Sequence, residues 1–283
     1  MKTKNSSFKL VHIIPNFLLM VFSISCIFPL IWLIYSSFKT KSEFYQNPAA
    51  LPEHINFSYY QEILTNSKFM LWVWNSLRNS LLALFFILLF GFIIGYLLSR
   101  YKFAGRKSCY TFFLLGMLVP VHAIMVPMYV MFTKLHITDQ WFTLILPYTA
   151  MGLPLAVFLV ESYVKTIPIE VEEAAAIDGC SRERTIFSIV LFMCKPILVT
   201  IGIIQFFGSW NEFTFALILT NSEKYMTLPV GIALFKGQFT TNYPRMMTSM
   251  LLAILPAMDA SFIFPKNLIN ELVERDVKGT VHL

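Results

Sequence analysis

The chain has 283 residues, of which 57% are hydrophobic and 13% charged, with 28 phenylalanines and a net charge of +6. Its mean hydropathy of +0.65 excludes an ordinary soluble globular domain and raises the question of how many times it crosses a bilayer. The positive balance is what a Lys/Arg excess in cytoplasmic loops produces, so it does not point to nucleic acid.

A transmembrane helix needs about 20 predominantly apolar residues. Charge-free windows of that size occupy 10–38, 79–99, 108–133 and 140–160, and two more are each interrupted by one charge, 185–211 by Lys195 and 246–265 by Asp259. The sequence therefore predicts an all-α, polytopic membrane protein, a single transmembrane domain over 1–283. Its six helices are expected near 12–36, 76–98, 109–132, 141–163, 191–215 and 246–266. The first is too long for a signal-peptide core and no small-residue cleavage site follows it, so it is expected to remain as a span. Lys195 lies near one end of its helix, where its stem can carry the ammonium to the interface.

The loops set the orientation. "SRYKFAGRKS", residues 99–108, carries Arg100, Lys102, Arg106 and Lys107 without an acid, which places it in the cytoplasm. Parity across six spans then puts both termini inside, in agreement with Lys2, Lys4 and Lys9. The outer loops become 39–75, 133–140 and 216–245. Of these, 39–75 contains "QNPAALPEH", where proline favours extended backbone, and "FSYYQEIL", a short aromatic interfacial helix. The apolar part of "TLPVGIALFKGQFTTNY" is too short to span and is expected to be a loop or re-entrant segment.

Several chemistries have no support. No G-x-x-x-x-G-K-[ST], H-E-x-x-H or G-x-S-x-G occurs, so the chain carries no phosphate-binding loop, zinc-protease pair or serine elbow of its own. Its five histidines are scattered, and Cys26, Cys109, Cys180 and Cys194 lack ligand spacing. No metal is expected. Ionisable groups within the spans are limited to Arg78, Lys195, Glu212 and Asp259, few for a proton-driven transporter. The energy for active transport is expected to come from another subunit.

Between the fourth and fifth spans stands "IPIEVEEAAAIDGCSRERTIF", Ile167–Phe187, a charged segment in a greasy chain. Pro168 suits a first helical turn, Thr166 is a plausible cap, and Glu170 and Glu172 complement the positive helix end. The helix should stop at Gly179, which can take the left-handed conformation, and Ser181 can cap a second helix leading into the next span. By helical spacing Val171, Ala174, Ala175 and Asp178 share a small, shallow face, while Glu170, Glu173 and Ile177 share another. A helix lying on lipid is the alternative, but anionic headgroups would repel an acidic helix, so a cytoplasmic protein partner is favoured.

"EEAAAIDG", with Ile189-x-Leu191 ten residues after Gly179, resembles the EAA loop of importer-type ABC permeases. The similarity extends in order through "FPLIWLIYSSFKTKSEF", "LSRYKFAGRK", "VPMYVMFTKLHITDQWFTLILPY", "GSWNEFTFALIL" and "TLPVGIALFKGQF". These stretches resemble the carbohydrate-uptake branch, in particular the second, shorter permease of a heterodimeric, maltose-permease-like pair. The resemblance implies a coupling helix that docks on the ATP-hydrolysing subunit through Glu173, Ala174, Ala175, Asp178, Gly179, Ile189 and Leu191. Phe192 departs from the family, which has proline there, and leaves the entry into the fifth span open. Toward the C-terminus, Asp259, Pro265, Glu271, Glu274, Arg275 and Asp276 also depart from the family's apolar or small residues.

The resemblance implies an ATP-driven, binding-protein-dependent importer of a sugar or oligosaccharide in the bacterial cytoplasmic membrane. Its partners would be a second permease, two ATP-binding subunits and an extracytoplasmic solute-binding protein. This chain would hold no cofactor and hydrolyse nothing, ATP and Mg being on the partner ATPase. Trp210, Asn211 and Glu212 are candidates for the translocation path, since polar groups at that depth should face the bundle interior and an aromatic can stack on a sugar. An interfacial belt position is the alternative for Trp210. A polyol or glycerol phosphate is an alternative cargo. An ion-gradient-driven secondary transporter and a non-transporting scaffold are alternative classes.

Overall fold

The computed structural model describes residues 7–65, 67–235, 241–256 and 258. Apart from an isolated bridge residue at 241, every regular element among the described residues is helical, as the composition predicts. In chain order they are α1 (Ser7–Ser36), α2 (Lys41–Gln46), α3 (Ser58–Thr65), α4 (Ser67–Arg100), α5 (Arg106–Gly116), α6 (Val121–Lys134), α7 (Ile145–Val164), α8 (Glu170–Ile177), α9 (Arg182–Met193), α10 (Lys195–Trp210), α11 (Thr214–Leu219), α12 (Leu228–Ala233) and α13 (243–256).

Among the described residues, three helices are long and apolar enough to cross a bilayer unaided: Pro15–Ser36 of α1, Lys68–Arg100 of α4, and α7. Two helix pairs are long and apolar enough only when taken together, α5 with α6, bent by 101°, and α9 with α10, bent by 69°, each a broken span or a re-entrant segment. The helices expected over 109–132 and 191–215 are therefore not single helices. Proline explains both bends. Before Pro120 the chain tightens into successive i→i−3 hydrogen bonds, Met117 to Leu114, Leu118 to Leu115 and Val119 to Gly116, and then leaves the helix. Pro196 lies in the first turn of α10, where its missing N–H costs nothing but the preceding helix cannot continue straight. The sixth expected span begins as α13; Asp259 and the altered C-terminal stretch lie outside the described residues.

The described residues fall into two compact units. The first lies within Met1–Asn66 and Ile232–Leu255. Its α1 is exposed along most of its apolar length, with Phe22 at 68%. The segment after α1 is locked by aromatic packing: Phe38 stacks on Tyr60 at 5.2 Å, and Phe44 on Tyr243 at 5.4 Å. Lys39 is fully buried there and donates to the carbonyls of Asn47 (3.0 Å) and Pro48 (3.2 Å) between the rings of Tyr35 and Phe44. Burial lowers its pKa, partly offset by Glu43. Glu43 in turn forms a capping box with Thr40 at the start of α2. The "FSYYQEIL" helix forms as expected, as α3, and its Glu62 pairs with Arg245 of α13 at 2.7 Å.

The second unit lies within Ser67–Gly231 and Pro256–Leu283. Its axis is α4, which starts well before the expected residue 76 and carries no proline. A Gly91-x-x-x-Gly95 pair on α4 lets α7 approach: a Cβ at either glycine would lie 2.7 Å from the Cβ of Ala156 or Val160. This small-xxx-small contact is the means by which helices associate in lipid, where no hydrophobic driving force separates them from the tails. Around it Ile87, Phe92 and Tyr96 of α4 pack with Val160 and Val164 of α7, Val190 of α9 and Ile201 of α10.

Candidate functional site: the α8 elbow and a polar cleft

The elbow begins with the helix α8, whose first turn carries Glu170, Glu172 and Glu173. The expected cap does not form. Thr166 Oγ1 donates back to the Tyr163 carbonyl at 2.7 Å, and the helix starts from Ile169 without a side-chain cap. Its acidic first turn serves the exposed N–H groups instead. The stop is as predicted: Gly179 has φ +80°, its N–H reaches the Ala176 carbonyl at 3.1 Å, and the Cys180 N–H reaches Ala175 at 2.9 Å. That pair of bonds is a Schellman ending, which needs the left-handed residue. Ser181 Oγ then accepts from the Arg184 N–H at 3.3 Å, as expected for the cap of α9.

The faces of α8 divide differently from the spacing argument. Ala175 is buried and Val171 half-buried, so part of the small face packs within the chain. Glu173, Ala174, Asp178 and Gly179 are exposed, and Ile177 stands out at 86%. Ile189 and Leu191 are half-buried on α9, the first within a π-helical turn over Thr185–Val190 and the second just past it. Phe192 continues α9 and is 71% exposed, so the change of direction is made by Pro196 four residues later.

One group of residues was not anticipated. Arg100, at the end of α4, donates from Nε to Glu172 Oε1 at 2.6 Å and from Nη2 to the Ile167 carbonyl at 2.8 Å. Tyr96, one turn earlier, donates its hydroxyl to the other carboxylate oxygen of Glu172 at 2.7 Å. Both charged side chains are nearly buried, and the bonds are charge-assisted. The i,i+4 spacing of Tyr96 and Arg100 is a signal of this group, but in the sequence alone Arg100 serves as an orientation signal and Glu172 as a helix-dipole partner. Beside this cluster, Glu161 of α7 pairs with Lys165 and lies 3.9 Å from Arg106, whose Nε donates to the Leu98 carbonyl.

A second feature is a cleft of about 460 Å3 whose mixed lining includes the polar side chains of His122, Tyr148, Gln205, Ser209, Asn211 and Glu212. It forms where α10 stops at Trp210 and the chain restarts as α11. Glu212 organises that restart: its carboxylate accepts from the N–H groups of Phe215 (2.7 Å) and Ala216 (3.1 Å) and from Tyr148 Oη (3.0 Å). Asn211 and Glu212 line the cleft; Trp210 does not, being buried and stacked on Phe206 at 5.9 Å. A larger groove of about 720 Å3 runs along α4, α9 and α10, apolar except for Ser188 and Lys195, and offers no set of polar groups to a hydrophilic solute. Arg78 donates to the Trp141 carbonyl at 3.0 Å. No cluster of metal-ligating side chains occurs among the described residues.

Among the described residues, several helices long and apolar enough to cross a bilayer and a pinned helix–glycine–helix elbow mark a multi-pass membrane protein. Comparison with known proteins places it more closely. Residues 87–279 match the family described as binding-protein-dependent transport system inner membrane component, and the chain belongs to that family. Members are transport permeases, not enzymes, with no cofactor of their own. The chain is 34% identical over 252 residues to an ABC transporter permease of Caldicellulosiruptor sp., covering 89% of this chain and 91% of the relative. It is 30% identical to the arabinooligosaccharide transport permease of Bacillus subtilis, covering 96% and 98%. In fold it is similar to a chain of a bacterial ABC transporter involved in import of the acidic polysaccharide alginate, with TM-score 0.78 at 20% identity over 94% of this chain and 99% of that one.

Proposed function

We propose that this chain is the second permease of a heterodimeric, ATP-driven importer for a sugar or oligosaccharide. Its partners are another permease, two ATPase subunits that hold ATP and Mg, and an extracytoplasmic solute-binding protein. It forms one transmembrane domain of six spans in the bacterial cytoplasmic membrane, with both termini and the 99–108 and α8–α9 loops inside. Support for the cargo class comes from relatives that carry arabinooligosaccharides, diacetylchitobiose and galactooligosaccharides.

The observation that carries the coupling role is the elbow. Glu173, Ala174, Asp178 and Gly179 lie exposed beside Ile177, on a helix whose other side is tied to α4. An exposed acidic and small surface with one large apolar residue suits a basic, apolar-floored protein cleft. Glu173, Ala174, Ala175, Asp178, Gly179, Ile189 and Leu191 are assigned to that coupling element, Ala175 through the packing that holds it. The cleft residues Asn211 and Glu212 are assigned to the wall of the solute path, and Trp210 supports that wall from behind.

Gly179→Val tests the assignment, because a β-branched residue resists the left-handed conformation at φ +80° while nothing lies within 4 Å of its Cβ. The variant should insert and assemble but lose binding-protein-stimulated ATP hydrolysis and uptake in proteoliposomes. Full transport would remove the coupling assignment, and a panel of neutral saccharides, polyols and glycerol phosphate in the same assay identifies the cargo class.

A further inference from the structure

We propose that α4 is the rod that carries motion of α8 across the membrane, with Arg100 and Glu172 as its joint at one end and Asn75 and Ser76 as its joint at the other. This rests on the coupling reading above. The covalent route from α8 toward the C-terminus leads through the left-handed Gly179, a π-helical turn, a 69° bend at Cys194 and the break at Asn211–Phe213, and the route back to α7 leads through the non-helical stretch 165–169. Each of these points can absorb displacement. By contrast, α4 runs unbroken and without proline from Ser67 to Arg100, a length of about 50 Å at the rise of an α-helix.

Near both ends α4 is fastened to neighbouring segments. At one end Arg100 holds the Ile167 carbonyl just before α8 and the Glu172 carboxylate within its first turn, and Tyr96 holds the second oxygen of that carboxylate. A guanidinium fork and a hydroxyl on successive turns fix α8 in position and direction, which a single contact would not. At the other end Asn75 Nδ2 donates to the carbonyls of Lys224 (2.8 Å) and Met226 (2.9 Å), and Ser76 Oγ accepts from the Leu228 N–H at 2.8 Å. The Trp72 ring fills the space beside Gly231, where a Cβ would lie 2.2 Å from it. The segment 224–231 thus moves with α4, and α4 moves with α8. Arg100 and Glu172 are positioning residues, as are Asn75 and Ser76: none is required to touch solute or nucleotide.

The test uses the complete importer, purified with its partner subunits in nanodiscs, without nucleotide and with Mg-ATP plus vanadate. Spin labels at Ala176 on α8 and Met70 at the far end of α4 should keep one distance in both states, while labels at Ala176 and Ile204 on α10 should change theirs. Equal changes in the two pairs would overturn the rod.

The second arm is a double-mutant cycle. Glu172→Gln, Arg100→Lys and Asn75→Ala should each lower uptake per ATP hydrolysed, by up to roughly tenfold, the scale of side-chain coupling between distant sites. Asn75→Ala combined with Glu172→Gln should be no worse than either alone, because one joint already disengages the rod. A purely structural role predicts additive losses of assembled complex with an unchanged transport-to-hydrolysis ratio, and that result overturns the proposal. If Gly179→Val uncouples while the α4 variants do not, only the rod fails; if Gly179→Val transports fully, the docking reading itself fails.

Discussion

The unbroken helix α4 and the interrupted path from α9 to α11 are both built from largely apolar sequence, yet they treat their backbone in opposite ways. α4 satisfies its own backbone and needs only close packing, supplied by Gly91 and Gly95 against Ala156 and Val160. The α9–α11 path is bent at Pro196 and broken at Asn211–Phe213, which frees backbone donors. Such groups must find partners within the protein. Glu212 does so for Phe215 and Ala216, and is itself held by Tyr148. The polar residue here marks a break in a helix.

The contrast can be broken from either side. Gly95→Leu should have the largest effect: four added carbons would drive into Val160 and the Glu161 backbone, overpacking the α4–α7 seam by about 1–3 kcal/mol or more. A loss of monodisperse complex in size-exclusion chromatography would show it; a normal melting profile would mean that α4 and α7 tolerate separation. Glu212→Ala should come next, leaving two backbone donors and the Tyr148 hydroxyl unpartnered at about 1–3 kcal/mol. Lower thermal stability together with reduced uptake is expected; unchanged stability with lost uptake would assign Glu212 to the solute alone. Asp139→Ala should be smallest. The Asp139 carboxylate accepts from the N–H groups of Asn221 (3.0 Å) and Ser222 (2.9 Å) just beyond α11, from a backbone at φ +53°. A loss of about 1 kcal/mol in melting, without change in transport, is expected.

The legible parts of the molecule are those governed by local rules. The Gly179 ending, the Ser181 cap and the α3 helix each depend on residues within one or two turns, and each forms as the sequence implies. The Thr166 cap was a local reading that failed, because Ile169 starts the helix three residues later and Thr166 turns to Tyr163. The expected single helices over 109–132 and 191–215 failed for a different reason. A window of apolar residues reports hydrophobicity and not continuity, and Pro120 and Pro196 were present in the sequence to say so. The direction of Trp210 was likewise not legible, because the end of α10 turns its ring onto Phe206.

What the sequence by itself determined is the class of the molecule: a helical chain that must lie in a bilayer, with one acidic, glycine-stopped elbow unlike everything around it. Hydrophobicity, capping and backbone freedom are properties of short stretches, so a chain displays them before it folds. Only the tertiary structure decided that Glu172 belongs to Arg100 and Tyr96, that Gly91 and Gly95 seat α7, and that Glu212 meets Tyr148. Those assignments join residues dozens of positions apart, and a pairing energy between them exists only once packing has brought them within bonding distance and excluded water.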